Sequence, residues 1–246
     1  MPLRESEAIV LRSFPMGEAD RLVSFFSRSS GRLRGVARGA RRVKSQFGST
    51  LETLTYVRMW FYERETRDLV RISQCELIES FHQTQRDYAS TLALALVSEV
   101  TEAVLPEHEA ADPVFRLILL TARAIAVGRG IWPPLAYFGL WSVRLAGWLP
   151  ALDRCQNCGS DLSAKRVYEM DAGELVCGEC RIGGRELNRD MLALGQKMLR
   201  GKPSESLDVT ELQLLLKELV RFAIDIVERH IEKRLSSWKL LLAEGS

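Results

Sequence analysis

The chain has 246 residues, 46% of them apolar and 27% charged, which is close to ordinary globular proportions and excludes a disordered, fibrous or collagen-like protein. Its formal net charge is only +2, so attraction to a polyanion must come from local clustering of Lys and Arg. The length suits one large domain or two to three small ones.

The opening MPLRESEAIV has early acidic residues and no uninterrupted apolar run of the kind a secretion signal needs. The most apolar stretch, Val114 to Val127, is broken by Arg116 and Arg123 and is too short to cross a bilayer. A cytoplasmic protein without membrane attachment is expected.

Residues 1 to 80 lack helical periodicity and offer five β-rich runs: Ala8 to Phe14, Leu22 to Arg28, Leu33 to Arg38, Leu51 to Tyr62 and Leu69 to Leu77. Turn signals separate them at Pro15-Met16-Gly17, Ser29-Ser30-Gly31 and the charged Arg64 to Asp68. Five short strands predict a small barrel, and the oligonucleotide/oligosaccharide-binding (OB) fold is the common design of that size. In the fourth run, Val57, Met59 and Phe61 alternate with Tyr56, Arg58, Trp60 and Tyr62. The second set would stack on bases or, as we favour, pack the barrel against helices.

Helical patterns begin near Gln83. The first runs through Leu92, Leu96, Val100 and Val104 to Pro106, and a second is expected from Asp112 as N-cap with Pro113 behind it. A third spans Leu135 to Ala146, and a last long helix Val209 to Leu242. Their apolar character predicts a bundle. The expected architecture is α+β and multi-domain: an OB barrel (1–80), a helical domain in two parts (81–150 and 188–246), and a cysteine-rich insertion (151–187).

That insertion carries Cys155-Gln-Asn-Cys158 and, after 18 intervening residues, Cys177-Gly-Glu-Cys180. The spacing is typical of structural zinc, and Gly159 gives the first turn freedom to close. Arg166 to Met170 and Glu174 to Cys177 read as a hairpin joining the two pairs. Four thiolates fill a tetrahedral shell and leave no coordination place for a substrate, so one structural zinc ion (Zn2+) is favoured over an iron–sulfur cluster or a redox thiol pair. Cys75 belongs to neither pair and is expected as a buried apolar side chain.

Between Asp20 and Glu52 there is no acidic residue, yet Arg21, Arg28, Arg32, Arg34, Arg38, Arg41, Arg42 and Lys44 all occur. Residues 1 to 80 hold 14 Lys or Arg against 10 Asp or Glu, while the other 166 residues hold 20 against 22. The positive charge therefore belongs to the first domain. Solvated surfaces usually mix signs, and seven of the eight cations are arginines suited to phosphate, so nucleic acid is the expected partner.

Catalytic signatures are missing. Gly201-Lys202 is followed by Pro203 and has Gln196 where a phosphate loop needs Gly. The three histidines, His82, His108 and His230, are scattered without a nucleophile, and His230 reads as a partly buried packing residue. No catalytic residue is expected.

Four features occur together: Glu7-Ala8-Ile9-Val10-Leu11, the run from Gly31-Arg32-Leu33-Arg34-Gly35 to Arg41-Arg42, the stretch Gly147-Trp148-Leu149-Pro150 to Cys158-Gly159, and the second cysteine pair. On these residues the chain resembles the bacterial RecO family of recombination mediators across nearly its whole length. The resemblance implies an OB barrel, a helical domain with an inserted zinc knuckle, and ATP-independent binding of single- and double-stranded DNA with annealing of DNA strands in recombinational repair. It implies RecR and single-strand-binding protein as partners in placing RecA on DNA, at the nucleoid. Carried over to matching positions, it implies DNA contact by Arg32, Arg34, Arg38, Arg41, Arg42 and Lys44. A zinc-ribbon adaptor associated with transcription, and a nuclease with carboxylates from separate helices, are the alternatives.

Overall fold

A computed structural model describes residues 3–63, 69–81, 84, 87–201 and 209–244. The turn expected at Arg64 to Asp68 lies outside them, as do His82, Gln83 and the Lys202-Pro203 pair. In chain order the elements are β1 (Leu3–Met16), β2 (Asp20–Ser27), β3 (Gly31–Ala37), β4 (Tyr56–Tyr62), β5 (Leu69–Glu79), α1 (Tyr88–Val104), α2 (Asp112–Ala126) and α3 (Trp132–Leu145). They continue with β6 (Val167–Glu169), β7 (Leu175–Cys177), β8 (Arg185–Leu187), α4 (Arg189–Leu199), α5 (Val209–Ile231) and α6 (Ser236–Glu244). Two compact units result, Met1–Ile131 with Leu235–Ser246, and Trp132–Arg234. They group the chain by space, whereas the ranges expected above group it by sequence.

The first five strands close into a barrel in the order β1-β2-β3-β5-β4, with β3 and β5 parallel and the other neighbours antiparallel. This is the expected OB fold. Ala8, Val10, Val23, Phe25, Val57, Met59 and Phe61 point inward and are buried. On the outside, Ile9 has Phe26 and Tyr56 as cross-strand partners, and Phe115 of α2 covers both rings at centroid distances of 5.7 and 5.9 Å. At a β1 bulge the Ser98 hydroxyl of α1 donates to Leu11 O at 2.6 Å. β1 is thus buried on both faces, which explains its unbroken Ala8 to Leu11 run.

The fourth strand starts later than expected, at Tyr56 rather than Leu51. Leu54 adopts φ 60°, which no strand tolerates, and Phe47 and Leu51 instead fold over and join the barrel core. Gly35 sits at an inward position of β3, where an added Cβ would meet Val70 Cγ2 at 2.8 Å and Ile72 Cγ1 at 2.9 Å. The parallel β3 and β5 approach this closely because that side chain is missing.

Two helical expectations need correction. The N-cap of α2 is Ala111, without a side-chain cap; Asp112 lies in the first turn, where its carboxylate pairs with Arg28 at 2.7 Å and Arg116 at 3.0 Å. The expected helix from Val209 to Leu242 is interrupted between α5 and α6, where Glu232 adopts φ 53°. α5 packs on α3 in the second unit, whereas α6 packs on α1 in the first and buries Trp238 and Leu241. The Glu99 carboxylate of α1 accepts from Ser236 N at 3.1 Å and Ser237 N at 2.8 Å, compensating the positive helix end of α6.

Replacing Gly35→Val should destabilise the barrel by about 1–3 kcal/mol through overpacking, read as a lowered urea midpoint. Burial pushes the Glu99 pKa up, but the Ser237 and Ser236 amides and Arg12 outweigh it, leaving the group below its ordinary value. A depressed carboxylate stabilises above its unfolded pKa, about 4.3, and loses that contribution as pH falls through the folded value. Protection of the α6 amides, corrected for intrinsic exchange, should therefore fall as pH drops through the folded Glu99 value, and Glu99→Gln should lower it already at neutral pH.

Candidate nucleic-acid interface and metal centre

β3 hands the chain to a turn-rich segment that is pinned at both ends. Gly39 N donates to Asp20 Oδ1 at 2.8 Å and Arg41 N to Ala19 O at 2.9 Å, both at the start of β2. At the far end Gln46 Nε2 donates to Ser73 O at 2.7 Å, and Phe47 anchors in the core. Between these anchors Arg38, Arg41, Arg42, Val43 and Lys44 stand exposed, Val43 fully so.

The six cations expected to meet DNA fall into two groups. Among the described residues, the side chains of Arg38, Arg42 and Lys44 have no ion-pair or hydrogen-bond partner, and the Arg41 guanidinium donates to Gly17 O at 2.7 Å without a carboxylate. Arg32 and Arg34 differ: both reach Glu107 Oε1 at 3.2 Å, and Arg32 Nε also donates to Leu105 O at 3.0 Å. Arg28 is likewise held, by Glu7 and Asp112 at 2.7 Å each. One cation the sequence reading did not single out joins the first group. Arg71 on β5 is exposed, lies beside Val36 of β3 in the parallel register, and has no carboxylate partner among the described residues. The alternation Leu69-Val70-Arg71-Ile72, with Val70 and Ile72 buried, was the available signal.

The aromatic parity of β4 serves mainly as packing. Tyr56 lies edge-on against Phe115, while Trp60 is half-buried and donates through Nε1 to Glu5 Oε2 at 3.1 Å. His230 stacks on Trp148 with ring centroids 4.5 Å apart, and Cys75 is buried in the barrel, which pushes its thiol up to about 12.

In the second unit the hairpin β6–β7 forms as expected, and β8, which was not, adds to it in the order β7-β6-β8. Gly159 takes φ +71° and its N–H donates to Cys155 O at 2.8 Å, closing the first cysteine turn; Cys180 N donates to Cys177 O at 3.0 Å in the second. The four Sγ atoms of Cys155, Cys158, Cys177 and Cys180 lie within 4.8 Å of one another, and Cys158 Sγ and Cys177 Sγ are 3.8 Å apart. Tetrahedral coordination with metal–sulfur bonds of about 2.3 Å requires sulfur separations of about 3.8 Å, so the set could hold one metal ion. Burial raises the Cys155 pKa, but the amides of Cys158, Cys177 and Asn157 outweigh it and bring the thiol down to about 6. Cys180, half-buried and hydrogen-bonded to Cys158, is pushed up to about 12.

A buried carboxylate docks this ribbon on α5. Glu169, 5% exposed, receives Arg185 at 2.6 Å and Arg229 at 2.8 Å, and Arg185 also reaches Asp225 at 3.0 Å. Lys165 pairs with Glu179 and Arg166 with Glu186, whereas the exposed Arg154 and Arg181 have no carboxylate partner among the described residues; Arg181 donates to Gly183 O at 3.1 Å and lies over the Tyr168 ring.

Comparison with known proteins converges on the same reading. Residues 1–81 match the family model for the recombination protein O N terminal, and residues 85–239 that for the recombination protein O C terminal. The chain belongs to the RecO family. The DNA repair protein RecO of Koribacter versatilis (strain Ellin345) is 39% identical over 240 residues, covering 97% of this chain and 98% of that protein. That of Syntrophobacter fumaroxidans is 34% identical over 250 residues, with 98% of each chain covered. Among the described residues no helix is long and apolar enough to cross a membrane.

A metal held by the four cysteines would stabilise the ribbon, whose three strands are three residues each, so its removal should act there and spare the barrel. Cys177→Ser, or treatment with a chelator, is expected to open residues 153–187 to limited proteolysis. The barrel core should keep its slow amide exchange.

Proposed function

We propose that the chain is a DNA repair protein that holds DNA on its barrel and acts as a recombination mediator, without catalytic residues or a nucleotide cofactor. One observation carries this reading: exposed Arg38, Arg41, Arg42, Lys44 and Arg71 on an OB barrel, none paired with a carboxylate among the described residues. Guanidinium groups without internal partners gain most from phosphate. A basic surface that holds two strands and screens their repulsion promotes annealing, and base pairing supplies the free energy. Contacts of this kind read no sequence.

The cysteine cluster is proposed to hold one zinc ion in a purely structural role, with residues 151–187 as the knuckle and residues 1–80 as the DNA-binding part. The ribbon leaves only Arg154 and Arg181 without a carboxylate partner among the described residues, against Arg38, Arg41, Arg42, Lys44 and Arg71 on the barrel, which favours the barrel as the polyanion surface. RecR and single-strand-binding protein are the proposed partners, with RecA loading as the outcome and the cytoplasm as the setting. These rest on family membership and call for pull-downs with each protein.

With about five phosphate contacts, the slope of log affinity against log salt on single-stranded DNA should be roughly −3 to −4. Changing Arg38, Arg42 and Lys44 together to Ala should flatten it by about 2. Unaltered affinity and slope in a folded triple variant would remove the barrel as the DNA site. Annealing of complementary strands in metal-free buffer, after brief chelator exposure that leaves the zinc in place, separates a mediator from a nuclease or an adaptor.

A further inference from the structure

Both arginines of β3, Arg32 and Arg34, are occupied by the protein's own acid. The connection between α1 and α2, Leu105 to Ala111, runs beside β3: His108 N donates to Arg32 O at 3.1 Å, and Arg32 and Glu107 form a parallel bridge. The approach is close. Gly31 has φ +76°, and a Cβ there would meet Glu109 N at 2.3 Å, so only glycine admits the segment. His108 itself adopts φ 63°, an unusual conformation for a residue with a side chain. Docked this way, the segment delivers one carboxylate oxygen to 3.2 Å from both Arg32 and Arg34, and the following Asp112 takes Arg28.

A carboxylate shared by two guanidinium groups has the charge and the hydrogen-bonding geometry of a phosphate oxygen pair. We propose that the α1–α2 connection is an internal competitor for DNA, with Glu107 seated where a phosphate would otherwise bridge Arg32 and Arg34. The inference rests on the barrel being the DNA surface. It separates two classes of cation: Arg38, Arg42, Lys44 and Arg71 stand ready, whereas Arg32 and Arg34 are withheld until Glu107 leaves. Glu107 is one-third exposed and Arg34 nearly half exposed, so the pair is open to displacement by a polyanion or to release by a partner that draws the segment away.

The test is binding of an oligothymidylate across a salt series. Glu107→Gln should steepen the slope by about 0.7 to 1.4, one or two recovered contacts, and raise affinity about fivefold per contact near 0.1 M salt. Arg34→Gln alone should change affinity less than twofold, and in the Glu107→Gln background it should cancel part of the gain. The proposal is overturned if Glu107→Gln, with unchanged melting temperature, leaves affinity and slope as they were. It is equally overturned if Arg34→Gln alone costs threefold or more, a result that does not depend on how the Glu107 variant folds. If the Arg38, Arg42 and Lys44 variant weakens binding while Glu107→Gln does nothing, the DNA surface stands and only the competitor fails; if neither moves, the surface itself is wrong.

Discussion

Pairing between arginine and carboxylate governs what this molecule offers to solvent. The barrel is rich in arginine, but Arg28, Arg32 and Arg34 are already joined to Glu7, Glu107 and Asp112, and Arg58 lies 3.5 Å from Glu5. An exposed pair of this kind contributes little stability, since solvent screens it. Its larger effect is to cancel charge. Among the described residues of the barrel, the cations without a carboxylate are Arg21, which donates to Ser13 Oγ, and those on the β3–β4 segment and on β5, so the field of the barrel is narrower than its composition suggests.

That segment is held in place rather than loosely attached. Asp20, the Gly17 and Ala19 carbonyls, and Ser73 fix its backbone and ends, while Phe47 and Leu51 tie it into the core. A pinned loop loses less conformational entropy when it meets a ligand than a free one does. The long cationic side chains stay free to follow an irregular single strand, which suits binding that recognises phosphate and ignores sequence.

Much of this was legible in the sequence, for local reasons. Strand alternation, the Cys-x2-Cys pairs and the run of cations between Asp20 and Glu52 are encoded within a few residues, and the barrel, the clustered thiols and the exposed basic segment follow from them. The misjudged features depend on distant partners. Leu51 to Thr55 carries strand-like residues but caps the barrel, and Asp112 has cap chemistry but is engaged by Arg28, which is remote in sequence. The last helix kept its apolar stripe through Glu232, yet a left-handed residue there redirects the chain to α1.

The same distinction applies to function. A count of charges along residues 1 to 80 treats Arg34 and Arg38 alike, because nothing within the strand separates them. What separates them is Glu107, brought beside β3 by a connection that needs Gly31 to pass. Local sequence therefore identifies which segment bears the charge, and tertiary packing decides which members of it are free to act. A cation gains from phosphate only to the extent that its present partner gives less than phosphate would. For Arg32 and Arg34 that exchange is one acid for another, and its balance depends on salt, on Glu107 and on whatever draws the α1–α2 connection away from the barrel.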